Sequence, residues 1–189
     1  MRFTITTGLT SLLLASSCRA VVVSEDQADG LYVASSDGKR STHLLYEYNG
    51  TEIDSRASDG FRRDHQRRSP SSSLSGRDPL PWVKTGCSDN IRMDGVNYDQ
   101  AKAQFGIYCD SGEQMGPNGG LYYKFGSAIA FSCSWGGSQG CSTQEYTDAM
   151  TLLDKDCQQL VPGWVEMDDW KKIYGRTTVG EAFCGDGWD

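Results

Sequence analysis

Six cysteines, Cys87, Cys109, Cys133, Cys141, Cys157 and Cys184, are crowded into the C-terminal part of a 189-residue chain, and no other feature limits its fold so strongly. Six cysteines within about 120 residues, in an oxidising compartment, imply three disulfides rather than metal ligands. No Cys-x-x-Cys spacing occurs among them, so zinc-ribbon and thioredoxin-type readings find no support. The sequence leaves the pairing open, with one exclusion. If Cys141 and Cys157 flank one straight helix, a rise of ~1.5 Å per residue sets them roughly 24 Å apart. A disulfide tolerates about 7 Å between Cα atoms, so those two do not pair. Among the rest, a bridge from Cys87 to Cys184, clasping the two ends of the domain, is the preferred pairing.

The chain ahead of these cysteines is of another kind. Arg2 followed by the mostly apolar, uncharged run 3–15, with Leu12-Leu13-Leu14 at its centre, reads as a secretory signal over residues 1–20. Its removal takes away Cys18 and leaves an even six. Leu14-Ala15-Ser16-Ser17-Cys18 loosely resembles a lipid-attachment box, but the dibasic sites downstream have no purpose in that setting. No later stretch approaches the ~18 apolar residues that a membrane helix needs. A secreted, extracellular protein without stable membrane insertion is the expectation.

Residues 21–68 are polar, with few large apolar residues in any periodic pattern, and read as a disordered pro-segment. Val21-Val22-Val23, Leu31-Tyr32-Val33 and Leu44-Leu45-Tyr46 are expected to form transient strands at most. The segment ends in two dibasic pairs, Arg62-Arg63 and Arg67-Arg68, so a kexin-type protease is the expected partner during export. Pro70 disfavours cutting after Arg68, which keeps Arg63 as an alternative end; Lys39-Arg40 is a further pair. Asn49-Gly50-Thr51 is a glycosylation sequon. Residues 69–84, rich in serine, read as a linker, and 85–189 as the disulfide-stabilised domain.

Within that domain a strand is expected near Ile91–Val96. A helix follows, capped by Asn97 with Gln100 three residues on; its stripe Tyr98, Ala101, Phe105, Tyr108 ends near Cys109. Leu121–Phe125 and Ala128–Trp135 read as strands around Gly126, with Ile129, Phe131, Cys133 and Trp135 on one face. Ser142-Thr143-Gln144-Glu145 is a capping box. It opens a helix whose apolar stripe is Tyr146, Ala149, Met150, Leu153 and Cys157. Trp164–Trp170 and Val179–Cys184 close the domain as extended segments. The order β-α-β-β-α-β predicts an α+β fold, two helices packed on one face of a small antiparallel sheet in the split βαβ arrangement, with three disulfides.

Charge and side-chain inventory narrow the function. From Ser69 onward nine Lys and Arg stand against 16 Asp and Glu, a poor match for nucleic acid or anionic membranes. Both histidines, His43 and His65, precede Ser69, so a domain cut after Arg68 has no histidine base or ligand. Carboxylate chemistry survives as a possibility, since glycoside hydrolysis needs two acids about 5–10 Å apart. Glu145, Asp148, Glu166, Asp168, Asp169 and Glu181 are the candidates, with Trp164 and Trp170 as sugar platforms. Each has a plainer explanation: Glu145 as capping partner, Asp148 on a polar helix face, and Asp168-Asp169 beside Lys171-Lys172 as a charged turn. Asp89–Gly95 ends like a calcium loop but places Arg92 where an oxygen ligand is needed. No catalytic residue, metal or cofactor is therefore expected.

The signal, the dibasic pro-segment and the six-cysteine domain together resemble the small secreted effector and toxin proproteins of plant-associated fungi. Over roughly residues 85–185, the helix ending Phe105–Cys109, the strand Ala128–Phe131, the Cys141-bounded helix and the closing strand at Cys184 resemble the α/β sandwich of fungal killer toxins. The resemblance implies a virulence protein that binds a host extracellular or cell-surface protein without catalysis and acts as a monomer. The alternatives are an antifungal killer-type toxin and a small carboxylate-dependent glycoside hydrolase.

Overall fold

The structure is a computed structural model and describes residues 20–35, 41–47, 80–81, 84–88, 91–112 and 114–185. Arg62, Arg63, Arg67, Arg68, Asn49 and the Lys39-Arg40 pair lie outside the described residues.

Among the described residues eleven strands and two long helices run β1 (Val21–Val22), β2 (Gly30–Ser35), β3 (Ser41–Glu47), β4 (Lys84–Cys87), α1 (Gly95–Cys109), β5 (Gln114–Met115), β6 (Gly120–Phe125), β7 (Ala128–Ser134), β8 (Gln139–Gly140), α2 (Thr143–Cys157), β9 (Gly163–Met167), β10 (Lys172–Thr178) and β11 (Ala182–Phe183). Seven of the strands form one antiparallel sheet in the order β3-β2-β6-β7-β10-β9-β4. The α+β class, the two helices on one face and the three disulfides are as expected. The sheet is larger than the domain reading allowed.

The local causes are legible. Asp94, not Asn97, caps α1: its carboxylate accepts from the Asn97 amide at 2.8 Å. That cap starts the helix at Gly95 and leaves Ile91–Asp94 outside any strand, so the leading strand is β4, several residues earlier. At α2 the Ser142 hydroxyl accepts from the Glu145 amide at 3.1 Å, which is half of the expected capping box. The other half is missing because the Ser142 amide donates to the Tyr174 hydroxyl instead. Between β6 and β7 the chain turns through Gly126 at φ +53°, a conformation glycine adopts without steric cost.

Side chains alternate between the two faces of the sheet. Towards the helices point Leu31, Leu121, Tyr123, Ala128, Ala130, Val165, Met167 and Tyr174, meeting Tyr98, Ala101, Phe105, Tyr146, Ala149, Met150 and Leu153. On the reverse face Tyr32, Tyr122, Ile129, Phe131, Trp164 and Ile173 are covered by Val21, Val23 and Phe183, from β1, the residues after it, and β11. A sheet buried on both sides reads as continuous apolar or mixed sequence, without a solvent face to reveal the period.

Residues 21–35, assigned by composition to a disordered pro-segment, are thus part of the fold. β2 pairs with β6 from Gly30↔Lys124 to Ala34↔Gly120, and β1 pairs with β11. Leu31-Tyr32 is short, but Leu31 is 1% and Tyr32 5% exposed, because each belongs to a different core.

The bridges are Cys87–Cys157, Cys109–Cys141 and Cys133–Cys184, with Cα separations of 5.5, 4.6 and 5.5 Å. The preferred Cys87–Cys184 pairing is therefore wrong. Cys87 lies on the edge strand beside the C-terminal end of α2, whereas Cys184 follows β11 onto the reverse face. Cys141 and Cys157 stay apart, at opposite ends of α2, as helix rise requires.

Candidate functional site

Among the described residues three buried cations organise the polar chemistry of the sheet: Lys124 on β6, and Lys172 and Arg176 on β10, at 3%, 6% and 1% exposure. A buried charge is tolerated only when it is paired and hydrogen-bonded, and each of these is met by a carboxylate: Glu145 and Asp154 from α2, and Asp29 from just ahead of β2.

The most accessible of the three lies at the N-terminal end of α2. Glu145 Oε2 accepts from Lys172 Nζ at 2.9 Å and from the Tyr174 hydroxyl at 2.6 Å. Lys172 Nζ also stands 5.5 Å from the Trp170 ring and 5.4 Å from the Tyr174 ring. Trp170 is the exposed wall of this cluster, and Gln139 closes it by donating to the Trp170 and Lys171 carbonyls. Burial pushes the Tyr174 hydroxyl well above its ordinary range, and the adjacent Glu145 carboxylate adds to the shift. The group therefore keeps its proton and serves as a donor to Glu145.

The second centre is deeper. Arg176 pairs with Asp154 at 2.5 Å, donates to the Val161 and Gln158 carbonyls at 2.8 and 3.0 Å, and lies 5.4 Å from the Tyr98 ring. The Tyr98 and Tyr146 hydroxyls share a hydrogen bond at 3.3 Å beside it. Burial raises both phenols, Tyr146 the more strongly. The third centre joins the N-terminal segment to the body: Asp29 Oδ1 accepts from Lys124 Nζ at 2.8 Å and from the Gly126 amide at 2.9 Å.

The acids proposed for glycoside hydrolysis are scattered. Glu145 is engaged as described, and Asp148 accepts from Gln144 on its own helix at 2.7 Å. Asp168 pairs with Lys171 at 2.6 Å in a short 3-10 turn that also holds Asp169. Glu166 lies on β9 and Glu181 in the turn after β10. Trp164 is buried, packed on Gly86 and 5.3 Å from Lys84 Nζ, while Trp170 is open. Among the described residues no three or more His, Cys, Asp or Glu side chains are grouped to hold a metal ion. Among them, too, no helix is long and apolar enough to cross a membrane.

Lys172 corrects the reading of residues 168–172 as a surface turn. Asp168 and Lys171 do form one, but Lys172 begins a buried strand. The only advance signal was the period of two in Lys172, Tyr174 and Arg176, which looks like a polar strand face until each charge has its partner. No protein-family model, curated protein or solved structure matches this chain.

Proposed function

We propose that the chain is a secreted effector or toxin-like protein, processed at its dibasic sites, that acts by binding a host extracellular or cell-surface protein. The observation that carries this reading is the use of all six cysteines of the C-terminal part in bridges that tie helix to helix, helix to edge strand, and C-terminal strand to central strand. Such cross-linking belongs to oxidising surroundings and preserves a recognition surface outside the cell. It also commits the thiols of these six cysteines, so none of them is left as a nucleophile. The partially exposed acid Glu145 is held by a lysine and a tyrosine, an arrangement that fixes α2 to β10.

The test is infiltration of the purified, oxidised secreted protein into leaves of a panel of plant genotypes, with ion leakage as readout and reduced protein as control. Leakage in some genotypes, lost on reduction, is the expected result. Silence in all genotypes together with growth inhibition of yeast would replace the plant target by a microbial one. Release of reducing sugar from wall polysaccharide, abolished by Glu145→Gln, would overturn the non-catalytic reading. Ser69–Asp189 alone is unsuitable here, because it lacks β1 and β2.

A further inference from the structure

We infer that residues 21–35 stay seated on the six-cysteine body after dibasic cleavage, so that the processed protein is a non-covalent two-chain particle. The inference rests on the processing half of the reading above. Its physical basis is independent of any target.

The N-terminal segment is held as a core element is held. β2 inserts between β3 and β6. Tyr32 stacks on Tyr122 with ring centroids 5.1 Å apart, and Val23 and Leu31 are sealed from solvent. Polar contacts run the length of the segment: the Gly180 amide donates to the Val23 carbonyl at 2.8 Å, and Gln27 donates to the Tyr122 hydroxyl at 2.9 Å. Asp29 is the partner of the buried Lys124 and also holds the turn at Gly126.

Loss of the segment would take Asp29 away from Lys124, turn β6 into an open sheet edge and bare the ring of Tyr122. Each of these is unfavourable, and an exposed edge strand promotes aggregation. Cleavage at Arg63 or Arg68 breaks one peptide bond by hydrolysis, far along the chain from these contacts, and removes none of them. No cysteine lies between Ala20 and Gly86, so no disulfide joins the two pieces. Retention therefore has a signature that a disulfide-linked pair lacks: the pieces separate in denaturant without reductant. Retention also keeps His43, on β3, with the mature protein.

The experiment takes the full oxidised chain, cuts it with a kexin-type protease, and compares native size exclusion with a denaturing, non-reducing gel and intact masses. The expected result is two fragments on the gel, or three where Lys39-Arg40 is also cut, that co-elute natively at the size of the uncut protein. Elution of the body without the N-terminal fragment overturns the inference. Resistance of the chain at both dibasic pairs overturns it through its processing half, and that failure is distinguishable because no fragments form. In the cut protein Leu31→Asp is expected to weaken retention by at least ~100-fold, since a charge replaces a sealed apolar side chain. Should that variant fail to fold before cutting, Asp29→Asn keeps the shape and is expected to speed fragment loss about tenfold. Wild-type retention in both variants would show that the observed contacts do not hold the segment. The leaf assay is not a readout here, so its outcome leaves this result unchanged.

Discussion

On one face of the sheet two helices are cross-linked at three of their four ends. Cys109 at the end of α1 is joined to Cys141 just ahead of α2, and Cys157 at the end of α2 to Cys87 on the edge strand. The opposite face is closed by two-residue strands and an N-terminal segment, and Cys133–Cys184 is the one bridge there. Both faces are equally dry: Phe105 and Ala149 on one side, Phe131 and Phe183 on the other, are all 0% exposed. Burial and cross-linking are thus separate properties, and the less cross-linked face is where the chain can be opened without disturbing the helices.

The largest effect that separates the faces comes from the bridges. Loop-closure entropy puts each at about 4 kcal/mol. Cys87→Ala/Cys157→Ala and Cys133→Ala/Cys184→Ala are expected to lower the urea midpoint alike. Hydrogen exchange should then rise in α2 for the first variant and in β1 and β11 for the second. Faster exchange in α2 for both would show that the faces do not open separately.

The buried ion pairs come next. Asp154→Ala leaves Arg176 uncompensated beneath α2, and Asp29→Ala does the same to Lys124 beneath the N-terminal segment. Both acids are partly exposed, which moderates the penalty to about 2–3 kcal/mol. Denaturation curves should show comparable losses. Only Asp29→Ala should make β2 sensitive to limited proteolysis.

Alkaline pH sharpens the contrast, because Tyr98, Tyr146 and Tyr174 all belong to the helix-side core. Their pKa values are raised from an ordinary 10.0, chiefly by burial. Above that pH the unfolded chain gives up these protons and the folded one keeps them. Stability is therefore complete below about pH 10 and lost as pH rises, by up to about 1.4 kcal/mol per pH unit for each hydroxyl. Phenolate absorbance from these residues should appear together with loss of helix by circular dichroism. Phenolate signal from a fully helical protein would contradict their burial. The smallest effect is Ile107→Lys on the exposed side of α1, expected to change stability by less than about 0.5 kcal/mol.

Much of this arrangement was legible in the residues. The stripe from Tyr98 to Phe105, the Ser142 cap and the alternation through Ile129, Phe131 and Cys133 each state one local preference that the fold keeps. Two kinds of element escaped. β10 begins at Lys172 and carries Arg176 within it, and a buried strand with two cations is indistinguishable from surface until Glu145 and Asp154 arrive from α2. β2 looks like disordered sequence because its apolar residues are few, and its stability depends on β6 some ninety positions later in the chain. The candidate site was legible only in Glu145, whose role changes from closing a cap to neutralising Lys172.

The order in which the cysteines are synthesised has a consequence of its own. Cys109 finds its partner when Cys141 emerges, Cys87 when Cys157 does, and Cys133 only when Cys184 follows. Val21 must likewise wait for Phe183 before it has a strand to lie against. The helix layer can be locked while the chain is still growing, whereas the reverse face closes only after the end of β11 has been made. Thiol trapping during synthesis should capture the Cys109–Cys141 bridge first and Cys133–Cys184 last. Until that last bridge forms, the chain has one finished face and one open one.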